Sequence, residues 1–277
     1  MGGGRHPARL IFSAAGRSWR GAHRGNNEDS YLFSSSAAAV ADGVGGHAGG
    51  EVASAMVIQN LAAVIQSMRG RALSDDYARE SIATANYGVF RRVQHDESLS
   101  GMSTTLTALF CAEEDLILAH IGDSRAYLLR DGDFSQVSRD DSFIQELIDA
   151  QKLTPADSAR HPMRSVVLKV LTGRNDSPNS SVTLSRHQPC EGDRWLLASD
   201  GLTDYVPDEL VKETVAAGLD PQATVDALIA LSEQCDSRDN ITAVICDLVQ
   251  GPSRAEVAVG GAALEIYGQL PAPGTRY

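Results

Sequence analysis

Apolar residues recur at helical spacing between positions 51 and 68, where Val52, Met56, Leu61, Val64, Ile65 and Met68 fall on or near one face. The same period returns over 75–93, and two further helices are predicted at 207–217 and 221–234. Short apolar runs bounded by turn residues predict strands at 30–33, 37–41, 104–111, 116–121, 126–129, 134–137, 195–198 and 241–248. The stretch 128–134 reads as a hairpin turning at Asp131-Gly132, a pair suited to the left-handed conformations of a two-residue turn. Strands, two helices, a meander of strands, more helices and a last strand do not alternate as a doubly wound parallel sheet would. The order fits antiparallel sheets covered by helices.

Both ends are enriched in Gly and Pro, so 1–10 and 251–277 are expected to be tails, the second one flexible, around one domain at 11–250. Within it, 140–179 breaks the regularity. A short helix near 142–151 is followed by polar sequence through His161-Pro162-Met163-Arg164 and Thr172-Gly173-Arg174-Asn175-Asp176, as in a mobile functional loop. A chain of 277 residues needs no disulfide or metal to support a core. Apolar residues at 43% and charged residues at 22% exclude disordered and fibrous classes. The net charge of -12, without a concentrated basic patch, argues against a nucleic-acid partner. Cys111, Cys190, Cys235 and Cys246 lie far apart without C-x-x-C spacing, which disfavours a zinc site or disulfide framework. No apolar run approaches 18 residues and the N-terminus has no secretory pattern, so no membrane association and a cytoplasmic location are expected.

Candidate chemistry gathers where acidic residues stand at the ends of apolar runs. Residues 38–41 end in Asp42-Gly43, 118–122 end in Asp123, and 195–199 end in Asp200-Gly201, while Glu28-Asp29 and Asp239-Asn240 each open a strand. A single Asp-Gly is usually a turn. After Asp42-Gly43 and Asp200-Gly201, however, the pattern becomes helical, so neither is a hairpin tip. If Glu28, Asp29, Asp42, Asp123, Asp200 and Asp239 converge, their repulsion requires cations among them. Oxygen donors, with the Gly43 carbonyl, favour Mg2+ or Mn2+. Two such ions about 4 Å apart can hold a water, lower its pKa and aim it at phosphorus. The planar fork of Arg24, four residues before Glu28, suits the other phosphate oxygens.

Six stretches carry a family signature: Arg24-Gly25-Asn26-Asn27-Glu28-Asp29, Ala41-Asp42-Gly43-Val44-Gly45-Gly46-His47, Gly101-Met102-Ser103-Thr104-Thr105, His120-Ile121-Gly122-Asp123-Ser124-Arg125, Ser199-Asp200-Gly201-Leu202-Thr203-Asp204 and Asp239-Asn240-Ile241-Thr242. In order and content they resemble the bacterial form of the type 2C metal-dependent protein serine/threonine phosphatases, over nearly all of 20–248. The resemblance implies an α+β fold, a four-layer αββα sandwich of two antiparallel sheets flanked by helices, with a metal centre at one end. It implies Asp42 as the ligand bridging two metals, Asp200 and Asp239 on the first, and the Gly43 carbonyl on the second. Glu28 and Asp29 then act through metal-bound waters, Arg24 binds the substrate phosphate, and Asp123 with Asp200 is similar to a pair that takes a third, weaker metal. The stretch 140–179 corresponds to a flap beside the site. Many eukaryotic members carry a histidine two positions after the bridging aspartate, where this chain has Val44. His47 is one candidate for the general acid, and a metal-bound water is the other.

The expectation is therefore hydrolysis of phosphoserine or phosphothreonine by in-line attack of a water activated by two Mn2+ or Mg2+ ions. The expected partners are phosphorylated proteins, bacterial serine/threonine kinases and their substrates, met by a monomer. A dinucleotide-binding reading of Gly43-Val44-Gly45-Gly46-His47-Ala48 sets Asp42 against the pyrophosphate and finds no ribose-binding acid between Val52 and Ser74. A non-catalytic, phosphoprotein-binding member would normally have lost some of the carboxylates. No G-x-S-x-G or Walker A pattern is present.

Overall fold

The computed structural model of the chain describes residues 9–44, 49–158, 161–174 and 181–270. Strands β1 (Arg9–Trp19), β2 (Asp29–Ser34) and β3 (Ala37–Val44) precede two long helices, α1 (Gly50–Met68) and α2 (Asp75–His95). Then come β4 (Ser103–Thr104), β5 (Leu106–Cys111), β6 (Leu116–Ile121), β7 (Arg125–Arg130) and β8 (Asp133–Gln136). The irregular region holds α3 (Phe143–Asp149) and α4 (Pro155–Ser158), followed by β9 (Thr183–His187) and β10 (Arg194–Ala198). The chain continues through α5 (Asp200–Thr203), α6 (Asp208–Val215), α7 (Pro221–Gln234), β11 (Ile241–Gly251), β12 (Val257–Gly261) and α8 (Ala262–Tyr267).

One sheet runs β1-β11-β10-β7-β8 and the other β12-β2-β3-β5-β6-β9, with β4 beside β3. Alternation along the strands explains why they read as unbroken apolar runs: both faces are buried, each in a different core. From β3, Ala38 and Val40 join Leu109, Leu118, Trp195 and Val244 between the sheets. Ala37, Ala39 and Ala41 point the other way, under Ile58, Leu61 and Ile82 of the two long helices. On the far sheet, Ile241, Ala243 and Ile245 pack against Leu202, Val211, Val225 and Leu228. Three stacked cores make the four-layer αββα sandwich expected from the sequence.

Local chemistry places the ends of several elements. Ser74 caps α2 by accepting the Tyr77 N–H, with Asp75 and Asp76 in the first turn. Asp220 caps α7 ahead of Pro221. Asp131 (φ 52°) and Gly132 (φ 84°) make the β7–β8 turn as predicted.

The C-terminal boundary differs from expectation. Instead of a flexible tail from 251, the structure puts Val257–Gly261 on the edge of a sheet, paired with β2, and lays α8 on α1. The glycines that suggested a tail serve packing here: a Cβ on Gly260 would lie 2.2 Å from the Tyr31 ring. Ala262 and Ala263 are buried, and the Gln59 amide donates to the carbonyls of Ala263 and Gly268. The N-terminal tail expected at 1–10 overlaps β1 at Arg9 and Leu10, where the strand pairs with β11. Residues 271–277 lie outside the described part. Removing 256–277 strips the edge from β2 and a face from α1, so we expect a loss of about 3 kcal/mol or more in unfolding free energy. Urea denaturation of the truncated and full chains measures it, and an unchanged midpoint would contradict this account.

Candidate active site

Asp42 sits near the end of β3, directly opposite Asp29 of β2. Its backbone is held from both sides. The Asp42 N–H donates to the Thr105 hydroxyl at 2.9 Å, and the Asp42 carbonyl accepts from the Thr105 N–H and the Thr104 hydroxyl at 2.9 and 2.8 Å. Gly43 donates its N–H to the Glu28 carbonyl at 3.1 Å. It also presses on the first turn of α1, where a Cβ on Gly43 would lie 2.4 Å from the Gly50 carbonyl carbon and one on Gly50 2.3 Å from Glu28 Oε2. Only glycines permit this approach of strand, loop and helix.

Asp200 opens α5 where β10 ends, and Asp239 precedes β11. The Asp239 loop is clasped to the 20–28 segment by Asn240, which is 4% exposed. Its Oδ1 accepts the Glu28 N–H at 2.8 Å, and its Nδ2 donates to the carbonyls of Arg20 and Asn26 at 2.7 and 2.9 Å. The Arg24 guanidinium donates to Asp239 Oδ2 at 2.6 Å and to the Arg238 carbonyl at 3.2 Å. Around these groups lies an open cavity of about 550 Å3, lined by Arg24, Glu28, Asp42, Gly43, Asp123, Asp200 and Asp239 among others.

Electrostatics marks this end of the sandwich as unusual. Burial, then the neighbouring Asp29, Asp200, Asp123 and Asp239, push the Asp42 carboxyl well above its ordinary range. Asp200 is raised well above it by burial and by Asp123 and Asp239. Asp123 is pushed up to about 7 by burial and the adjacent Asp140 and Asp204. Asp29 rises to about 6, again through burial, against the opposing hydrogen bonds of Thr242 and Ser199. Burial disfavours the charge on Arg24, but Asp239 outweighs it and raises its pKa. Burial first, and the neighbouring carboxylates second, disfavour the charged form of each of these four carboxyls.

The donor set fits hard divalent cations. It consists of carboxylate oxygens and a backbone carbonyl, and Asp29 Oδ1 and Asp200 Oδ1 are buried without a hydrogen-bond partner. Among the described residues no three acidic, histidine or cysteine side chains close on a single point. The carboxylates line the wall instead, with Asp239 turned to Arg24.

Of the residues singled out in the sequence, Arg24, Glu28, Asp42, Gly43, Asp123, Asp200 and Asp239 share the pocket. Asp29 does not line it. At 1% exposure it stands behind, where Oδ2 accepts the Ser199 hydroxyl at 2.7 Å. His47 lies outside the described residues. The signature stretches contain Asn26, Thr105, Ser199 and Asn240 but give them no role, and Glu51 lies outside them; Asn26 and Glu51 line the pocket, and Ser199, Thr105 and Asn240 hold its loops. Glu51 carried a signal, an acid in the first turn of a helix following Asp42-Gly43. The others are small polar residues whose partners are distant in sequence.

A family model described as protein phosphatase 2C matches residues 22–243. The serine/threonine protein phosphatase PstP of Mycobacterium tuberculosis is 41% identical over 244 residues, covering 87% of this chain and 46% of the relative. The chain thus spans about half the length of that protein. The crystal structure of M. tuberculosis PstP/Ppp matches with a TM-score of 0.80 at 40% identity, covering 86% of this chain and 99% of that one. The PstP catalytic domain in complex with two manganese ions matches with a TM-score of 0.80 at 38% identity, over 87% and 100% of the two chains.

The raised carboxyls fix the sign of a pH dependence. Without metal, the folded chain keeps protons that the unfolded chain releases from about pH 4 upward, so stability falls as pH rises toward 7. In chelator we expect the melting temperature to drop between pH 5 and pH 7.5, less steeply in Asp42→Asn. Added Mn2+ should raise it, most at the higher pH, because binding displaces protons. Calorimetry across that range checks this, and equal slopes for wild type and variant would contradict the proposed crowding.

Proposed function

The chain belongs to the protein phosphatase 2C family, and we propose that it is a metal-dependent phosphatase of phosphoserine and phosphothreonine in proteins. The observation that carries this reading is a guanidinium, Arg24, held at the lip of a carboxylate-lined pocket. Two ions fit the donor set, Mn2+ as in the PstP complex or Mg2+. Asp42, Asp200 and Asp239, with the Gly43 carbonyl, would hold them, Asp42 being the carboxylate placed to serve both. Asp123 with Asp200 would be the pair for a third, weaker ion. When bound, such ions make a coordinated water acidic enough to attack phosphorus at neutral pH.

The chain's own residues do the rest. Arg24 exchanges part of its contact with Asp239 for the non-reacting oxygens of the phosphate, which its planar fork matches in geometry as well as charge. Glu28 acts from the rim, where the Asn26 amide donates to it at 3.3 Å. Asp29 works from behind, steadying Ser199 and with it the turn into Asp200. His47 or a solvent molecule returns the proton to the departing serine or threonine oxygen.

Phosphorylated proteins, including serine/threonine kinases and the proteins they modify, are the partners this chemistry implies. Among the described residues no helix is long and apolar enough to cross a membrane. We place the chain in the cytoplasm as a monomer opposing such kinases.

Turnover of a phosphothreonine peptide and of para-nitrophenyl phosphate with Mn2+, Mg2+ or excess chelator tests the proposal. We expect metal-dependent hydrolysis that falls by at least about a thousandfold in Asp42→Ala and Asp239→Asn. In Arg24→Ala, kcat/KM should fall by about tenfold to a hundredfold, as for the loss of a charge-assisted hydrogen bond. Asp123→Ala should weaken turnover and shift its metal dependence. Near-normal turnover in Asp42→Ala would overturn the assignment.

A further inference from the structure

Ser165 and Val167 also line the pocket. They belong to the irregular region between β8 and β9, where few sheet hydrogen bonds fix the backbone, so the wall stands only as firmly as its ties to the core. Several such ties stand among the described residues. Thr104 and Leu171 exchange backbone hydrogen bonds at 2.8 and 3.1 Å. Within the region itself, Ser142 and Val167 form an isolated bridge, and the Phe143 N–H donates to the Val166 carbonyl at 2.9 Å.

Near its ends the Gly173 N–H donates to Asn86 Oδ1 of α2 at 2.7 Å and Asp140 accepts from the Arg125 guanidinium of β7 at 2.7 Å, and a further tie runs through Asp141, whose side chain is 5% exposed. Its N–H donates to the Gly122 carbonyl at 2.7 Å, and its Oδ2 accepts the Gly122 N–H at 3.2 Å. Its carbonyl accepts the Leu168 N–H at 2.7 Å, and its Oδ1 meets Lys169 Nζ at 2.6 Å. A single buried carboxylate thus grips the turn that carries Asp123 with one oxygen and the flap with the other. This is unlike a surface ion pair. Lys169 is 37% exposed, but its partner is nearly enclosed, and removing the ammonium leaves a buried charge short of its counter-ion. From Gly122–Asp123 the linkage continues through Ser124, whose hydroxyl lies 3.0 Å from that of Thr105, the group that holds the Asp42 N–H.

We infer that Asp141 and Lys169 are positioning residues, a latch that fixes the 165–167 wall against the Gly122–Asp123 turn and sets the width of the pocket for a phosphoprotein. The part concerning substrate rests on the phosphatase reading; the latch itself does not. A peptide chain must pass along this wall, whereas a small phenyl phosphate need only reach the carboxylates. Losing the latch therefore raises KM for the peptide and spares the small substrate.

The test uses the full chain with Lys169→Met, which keeps the side-chain length, and Lys169→Arg, which keeps the charge. Amide hydrogen exchange in metal-free protein should be at least about tenfold faster at Leu168 and Gly122 in Lys169→Met, unchanged in β5 and β10, and near wild type in Lys169→Arg. KM for a phosphothreonine peptide should rise by about tenfold in Lys169→Met, with para-nitrophenyl phosphate turnover within about twofold and the peptide KM restored by arginine. Unchanged exchange at Leu168 and Gly122 would overturn the latch. Faster exchange with an unchanged peptide KM would overturn its role toward substrate. If the wild type hydrolyses neither compound, the phosphatase reading fails while the exchange result still decides the latch.

Discussion

Repulsion among the carboxyl groups at one end of the sandwich is the constraint on which the rest of the structure depends. Burial raises the pKa values of Asp29, Asp42, Asp123 and Asp200, and neighbouring carboxylates raise them further: Asp29, Asp200 and Asp123 act on Asp42, Asp123 and Asp239 on Asp200, Asp239 on Asp29, and Asp140 and Asp204 on Asp123. No isolated loop could hold such an arrangement, because each member gains by moving away. What keeps them together is that every one stands beside a strand end anchored in a core. Ala41, Ile121, Ala198 and Ile241, the neighbouring apolar residues, are all completely buried. The energy of packing three apolar layers is spent in part on keeping like charges close, and the natural relief is a cation.

The polar residues around the carboxylates follow from the same constraint. Asn240 ties the Asp239 loop to three backbone groups of the 20–28 segment, Thr104 and Thr105 hold both backbone groups of Asp42, and Ser199 gives Asp29 a donor. None of these side chains supplies negative charge. They restrain the backbone so that the carboxylates stay at fixed positions while their protonation or their metal changes. The latch at Asp141 extends this logic outward, joining the wall across the pocket to the frame that carries Asp123.

Much of the scaffold was legible in the chain. The 3.6-residue period announced α1 and α2, the Asp131-Gly132 pair announced the β7–β8 turn, and the acids after apolar runs marked the strand ends that build the pocket. Two strands that the pattern does not predict, β1 and β12, share a cause. In β1 the alternation is diluted by Ser, Ala and Gly, and in β12 glycine stands where the Tyr31 ring presses on the backbone. Small residues give a weak hydrophobic signal, yet close packing is what they permit. Asp29 misled in the opposite way, carrying the right chemistry in a position behind the pocket wall.

The sequence by itself determined which residue types were available and where each apolar run would stop, since alternation, capping and turn chemistry act over a few neighbours. It determined too that an all-oxygen set of acids would call for a hard cation. Tertiary structure alone decided which acids face the cavity, which one turns to Ser199, and that Asp239 meets Arg24 across 215 positions. It also decided that a carboxylate and an ammonium at 141 and 169 should join the flap to the Asp123 turn. Those outcomes depend on strand order and sheet stacking, where burial and Coulomb energy act through space between residues that no local pattern connects.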